Sequence, residues 1–218
     1  MLNEAQQTTA DSAIARAYPT PAQSNLRQES PLVGLAELQR EHERRYSEAF
    51  RFRELPFRDI ALLRAAPDTP GLTQATADLT GAALPLSANT VSVSEAYTIC
   101  WLGPDEWLIH SRQPQMPVLE AAFGSLAASQ FVSSVDVGSG YTIFEISGMR
   151  AREVLQKGCP LDLHPQVLQV GHCAQSHYFK AGVLLKPISP NSYELVVRRS
   201  FADYFYRIML TAAEEFLQ

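Results

Sequence analysis

Apolar residues in this chain recur at a spacing of two, then of three to four, and this alternation lays out the elements. Phe57 to Leu63 (FRDIALL) reads as a strand, and Leu72, Ala75, Thr76 and Leu79 hold helical spacing as far as Gly81. Leu84, Pro85 and Leu86 turn the chain. Val91, Val93, Tyr97, Ile99 and Trp101 then alternate cleanly, which predicts one half-buried strand over 91–101. Gly103, Pro104 and Asp105 make a turn into a second strand through Trp107 and Ile109, a hairpin with a tryptophan on each arm. Pro117 opens a helix with the stripe Leu119, Ala122, Phe123 and Leu126.

The stretch Val135 to Leu163 is the centre of the pattern. Tyr141 to Ile146 carries apolar side chains of both parities, as a strand covered on both faces requires. Ser147 and Gly148 supply an N-cap and a turn, and Ala151, Val154 and Leu155 give a helix one apolar stripe. Its other side carries Arg150, Arg152, Glu153, Gln156 and Lys157, with Glu153 placed to pair with Lys157. Gly158 occupies the position of a left-handed residue after the helix, and Pro160 stops it.

The second half repeats the plan of the first. His177 to Leu185 reads as a strand, Pro187 to Asn191 as a turn, and Tyr193, Leu195 and Val197 alternate in the next strand. Ser200 and Asp203 form a capping box for a closing helix with the stripe Phe201, Tyr204, Phe205, Ile208, Ala212 and Phe216. The fold class is therefore α+β, two ferredoxin-like β-α-β-β-α lobes spanning 31–131 and 132–218. Residues 1–30, rich in Gln, Thr, Ala and Pro without a sustained period, read as a flexible arm.

Charge narrows the partners. A net charge of -5 argues against broad binding to nucleic acid or an anionic membrane, both of which need a basic footprint. No apolar run is long enough to span a bilayer, and the N-terminal residues lack a basic region followed by an apolar one, as a secretory signal needs. Cys100, Cys159 and Cys173 sit in or beside apolar elements, so no disulfide framework is expected and a reducing cytoplasm is the default.

Candidate chemistry is sparse. Cys159 follows a helix C-terminus, where the dipole raises a thiol pKa, so it reads as structural. His172, Cys173 and His177 match no common zinc spacing. Gly138 and Gly140 precede a strand rather than a helix, which favours a bulge over a phosphate loop. The charged stretch Arg40 to Arg45 reads as a solvated face. Arg198 and Arg199 end a strand on opposite faces, and one of them joins Arg150 and Arg152 in a candidate docking patch.

Four segments carry a family signal: WLGPDEWLI (Trp101 to Ile109), VDVGSGY (Val135 to Tyr141), KGCPLDL (Lys157 to Leu163) and VRRSFADY (Val197 to Tyr204). In these the chain resembles the gamma subunit of heterotetrameric sarcosine oxidase, within the wider group of the folate-binding T-protein of the glycine cleavage system. The resemblance implies a complex with alpha, beta and delta subunits that oxidatively demethylates sarcosine to glycine. Hydrogen peroxide and either methylenetetrahydrofolate or formaldehyde would be the other products. It places FAD, FMN, NAD and tetrahydrofolate on alpha and beta and zinc on delta, with no cofactor, metal or catalytic residue in gamma. Gamma would pack against the folate-binding part of alpha. The alternative is a free-standing, folate-dependent T-protein-like factor. Lys157, Gly158 and Cys159 begin the K-G-C-Y-x-G-Q-E signature of one such group, but Pro160 to Leu163 depart from it. A methyltransferase acting alone would need an acidic residue at a pterin pocket, for which Asp136 is the candidate.

Overall fold

A computed structural model describes residues 29–112 and 115–217, and the part of the predicted arm over 1–28 lies outside the described residues. A short helix α1 (Ala36–Glu43) leads to β1 (Arg51–Leu55) and β2 (Ile60–Ala65), followed by α2 (Leu72–Thr80). Then come β3 (Val91–Val93), β4 (Tyr97–Gly103), β5 (Glu106–Ser111), α3 (Met116–Ala127) and β6 (Val132–Asp136). The second half holds β7 (Tyr141–Ser147), α4 (Ala151–Gln156), β8 (Ala174–Tyr178), β9 (Ala181–Ser189), β10 (Ser192–Arg198) and α5 (Ala202–Ala213). These build two antiparallel five-stranded sheets, in the orders β3-β4-β5-β2-β6 and β1-β7-β10-β9-β8. The ferredoxin-like plan of each half is there, with an added edge strand.

That added strand does not respect a division at residue 131. β1 precedes the first lobe's β2 but pairs with β7 of the second sheet, Phe52 lying opposite Ile146. β6 precedes β7 but pairs with β2 of the first sheet, Leu62 lying opposite Val135. Each lobe therefore borrows the strand that leads into the other. α1 goes the same way, since Leu35 just before it joins the second lobe's core.

Alternation puts one set of side chains under the helices and the other between the sheets. Leu63, Ile99, Trp107, Leu119 and Phe123 fill the first core, and Phe52, Phe144, Phe205 and Tyr206 are among those that fill the second. Ile60, Cys100, Leu108, Ile143, Cys173, Leu184 and Val196 meet between the sheets. β7 is thus covered on both faces, as its two-parity pattern predicts. Tyr97 to Cys100 are buried on both faces as well, because Cys100 meets the second sheet.

Several local expectations change in the fold. The strand expected over 91–101 is broken at 94–96 into β3 and β4, and the one expected from His177 is a hairpin turning at Phe179, whose φ is +48°. Neither Ser147 nor Ser200 caps a helix: the N-cap residues of α4 and α5 are Arg150 and Phe201, neither of which makes a side-chain cap, and Asp203 pairs with Arg207 at 2.7 Å. Gly148 is instead a left-handed turn residue at φ +122°, its N–H donating to the Asn191 carbonyl at 3.0 Å. Gly158 is not left-handed; it is glycine because a Cβ there would lie 2.5 Å from the Phe179 ring. The buried stripe of α5 is Ala202, Phe205, Tyr206, Met209, Leu210 and Ala213, rotated from the predicted one. The apolar arc of this helix is wide enough for two overlapping stripes, and the aromatic stack of Phe52 on Phe144 and Tyr206 selects between them.

Candidate functional site

The two linkers that carry the exchanged strands across, 56–59 and 137–140, border a cavity of about 610 Å³. Glu54, Arg58, Asp59, Asp136, Tyr141 and Arg199 are among its lining residues. Its carboxylates are engaged by the fold. Asp59 Oδ2 accepts from the backbone N–H of Gln115 and of Met116, so the start of α3 is capped by a residue far away in sequence. Glu54 Oε1 accepts from the Thr142 hydroxyl at 2.6 Å and Oε2 from the Ser30 hydroxyl. Asp136, the candidate acid, lies on the cavity wall, and its Oδ1 accepts from the Gly138 N–H at 2.8 Å.

A second polar group lies between the sheets. Glu194 on β10 is paired by Lys186 of β9 at 2.8 Å, and His110 Nε2 of β5 lies 2.9 Å from the same carboxylate oxygen. Burial alone would raise the Glu194 pKa, but His110 and Lys186 outweigh it and hold the carboxyl down to about 2. Sequence reasoning missed this triad. Its signal was present: Glu194 is the one charged residue between Tyr193 and Val197 in an otherwise apolar run.

The structure separates the arginines read as one patch. Arg150 follows β7 and pairs with Glu153 at 2.6 Å, and the half-buried Arg152 belongs to the same helix. Arg198 lies over the Tyr141 ring at the far end of the β7 and β10 ladder, and Arg199 donates to the Glu29 carbonyl at 2.8 Å beside the cavity. Because Arg150 takes Glu153, Lys157 pairs instead with Glu215. Arg45 on the charged stretch is likewise engaged, with Glu214 at 2.7 Å and the Leu217 carbonyl at 2.6 Å.

The cysteines and histidines have structural surroundings. Cys159 is buried beside the Ser176 hydroxyl at 3.8 Å, and Cys173 Sγ lies 3.4 Å from the Trp101 carbonyl. All three cysteines are reduced and buried. Among the described residues, no group of three His, Cys, Asp or Glu is placed to hold a metal ion, and no helix is long and apolar enough to cross a membrane.

The paired lobes define the class. Aminomethyltransferase T of the glycine cleavage system from Bartonella henselae superposes with a TM-score of 0.55 at 9% identity, over 79% of this chain and 48% of that one. The fold is that of the T-protein group. A family model described as sarcosine oxidase, gamma subunit family matches residues 64–215, and the chain belongs to that family. Sarcosine oxidase subunit gamma of Corynebacterium sp. (strain U-96) is 29% identical over 190 residues, 86% of this chain and 90% of that relative. The counterpart from Corynebacterium sp. (strain P-1) is 30% identical over 165 residues, 75% and 80% of the two chains. A chain of the heterotetrameric sarcosine oxidase from Corynebacterium sp. U-96 in complex with pyrrole 2-carboxylate superposes with a TM-score of 0.79 at 27% identity, covering 88% of this chain and 97% of that one.

Proposed function

We propose that this chain is a non-catalytic subunit of a heterotetrameric sarcosine oxidase and packs against the folate-binding part of the alpha subunit. The observation that carries this reading is the match, over nearly the whole length of both chains, to a chain of such a complex. The complex would oxidise sarcosine to glycine, yielding hydrogen peroxide and methylenetetrahydrofolate or formaldehyde. FAD, FMN, NAD, tetrahydrofolate and zinc would be held by the alpha, beta and delta subunits. The engagement of Glu54, Asp59 and Asp136 in internal hydrogen bonds supports a positional role, since a carboxylate that caps a helix or a turn is not poised for proton transfer.

The test is Asp136→Asn in the assembled complex. The expected result is sarcosine turnover per flavin within about twofold of the parent, because this acid touches no reacting atom. A large loss of turnover with assembly intact would sink the non-catalytic reading. Tetrahydrofolate titrated into the isolated chain should leave tryptophan fluorescence unchanged; saturable quenching would favour a free-standing folate-dependent factor.

A further inference from the structure

Two nucleophiles distant in sequence meet in the layer between the sheets. Cys100 on β4 and Cys173, on the segment that leads into β8, are both reduced and buried there. One belongs to the first sheet and the other precedes a strand of the second. The backbone brings them together at the β3 edge. Thr90 bridges to His172, and Cys173 N–H donates to the Asn89 carbonyl at 2.8 Å. Trp101, the residue after Cys100, donates its own N–H to the Thr90 carbonyl at 3.0 Å. Cys173 Sγ then lies 3.4 Å from the Trp101 carbonyl, and the Cys100 thiol shares a hydrogen bond with it.

The two thiols are not alike. The hydrogen bond from Cys100, helped by the Lys186 ammonium, holds the Cys173 pKa below the usual thiol value against the opposing effect of burial. The same hydrogen bond, together with burial, pushes Cys100 well above it. One sulfur thus favours the nucleophilic thiolate while its neighbour keeps its proton, the asymmetry of an attacking and a resolving thiol. Cys173 also lies near the surface, with Gly171 and Gln175 exposed on either side of it. Its segment is held to β3 by the Val91 to Gly171 and Cys173 to Asn89 backbone bonds. An oxidant close to water in size needs only a local opening of that segment to reach the sulfur.

We propose that Cys100 and Cys173 are a peroxide-oxidised dithiol whose disulfide staples the two lobes. The source of the oxidant rests on the reading of the chain as an oxidase subunit, since that reaction releases hydrogen peroxide beside it. The Cys173 thiolate attacks one peroxide oxygen, the O–O bond breaks, and the departing hydroxide takes up the thiol's proton and leaves as water. The Cys100 sulfur then attacks the sulfenic acid so formed, the S–O bond breaks, and the Cys100 proton leaves with the oxygen as a second water. Two thiols are oxidised and one peroxide is reduced. Cys159, buried elsewhere beside the Ser176 hydroxyl, takes no part.

The experiment adds hydrogen peroxide to the full chain and reads its mass and its non-reducing digest. The expected product is lighter by two hydrogens, contains a peptide joining Cys100 to Cys173, and reverts with dithiothreitol. It should unfold about 10 °C higher than the reduced chain, because the bond closes a long loop. Cys159→Ala should still form it, and Cys173→Ala should not. In Cys100→Ala, which lacks the resolving thiol, Cys173 should go on to the sulfinic acid, heavier by two oxygens. Should an alanine variant fail to fold, the joined peptide from the parent chain decides. Free thiols at both positions after peroxide, a bridge through Cys159, or a bridge that leaves the unfolding midpoint unchanged would each overturn the proposal. The purified complex turning over sarcosine should accumulate the same bridge, and catalase should suppress it. A bridge formed by added peroxide but never during turnover would leave the dithiol standing and count against the oxidase as its source of peroxide.

Discussion

Glu194 shows how one residue can couple stability to pH. Its carboxyl is held at about 2 when folded, below the ordinary 4.5, so the ionised form is bound more tightly by the native state. The stabilisation is fully present above about pH 4.5 and is lost as pH falls towards 2. Glu194→Gln should destabilise by about 3–5 kcal/mol at neutral pH, because it leaves Lys186 buried without its partner. It should also flatten stability across that acid window. Urea unfolding of both proteins at several pH values measures both effects.

Two glycines are distinguishable by what stands in the way. A Cβ on Gly148 would lie 2.4 Å from the Ala49 carbonyl oxygen, at a φ of +122°. Backbone cannot yield cheaply, so Gly148→Ala should cost about 3 kcal/mol or more. At Gly158 the nearer obstacle is the Phe179 ring, a side chain 41% exposed that can swing outwards, but the ring of the fully buried Tyr178 lies 2.9 Å away as well, so Gly158→Ala should cost about 2–3 kcal/mol. Thermal denaturation of the pair gives the ranking.

At the scale of elements, α5 is the informative case. Phe205 is fully buried against Phe52, Phe144 and Tyr178, whereas Phe201 is 37% exposed. Phe205→Ala should therefore cost about 3–5 kcal/mol and Phe201→Ala under about 1 kcal/mol, measured by chemical denaturation. Equal costs would contradict the face that the sheet selects. Periodicity placed this helix because 3.6-residue spacing is local; the choice between its overlapping stripes is made by aromatic partners on β1 and β7, which no local window contains. The missed caps have the same cause. α3 takes its cap from Asp59, more than fifty residues earlier.

At the scale of the molecule, the exchange of β1 and β6 makes the lobes interdependent. Cutting the chain between 131 and 132 would strip each sheet of an edge strand and expose the apolar layer around Cys100, Ile143 and Val196. The fragments 31–131 and 132–218 should each fail to fold alone, and the whole chain should unfold in one cooperative transition. Calorimetry of the intact chain and solubility of the separate halves test this; two resolved transitions would mean that the exchange does not couple the lobes.

The sequence by itself determined the four main helices, the β-α-β-β-α order repeated in the two halves, the tryptophan hairpin and the family, because each is written in local spacing or in short contiguous motifs; it did not show β1, β6 or the break of the later strands at 94–96 and Phe179. It also placed Asp136 among the acids to inspect, and that residue does line the cavity. The tertiary structure alone decided which sheet receives β1 and β6, the cavity at their crossing, the Lys186, Glu194 and His110 triad, and the separation of Arg150 from Arg198. These depend on pairings between strands distant in the chain. Strand alternation fixes which side chains share a face but carries no information about which edge the strand joins.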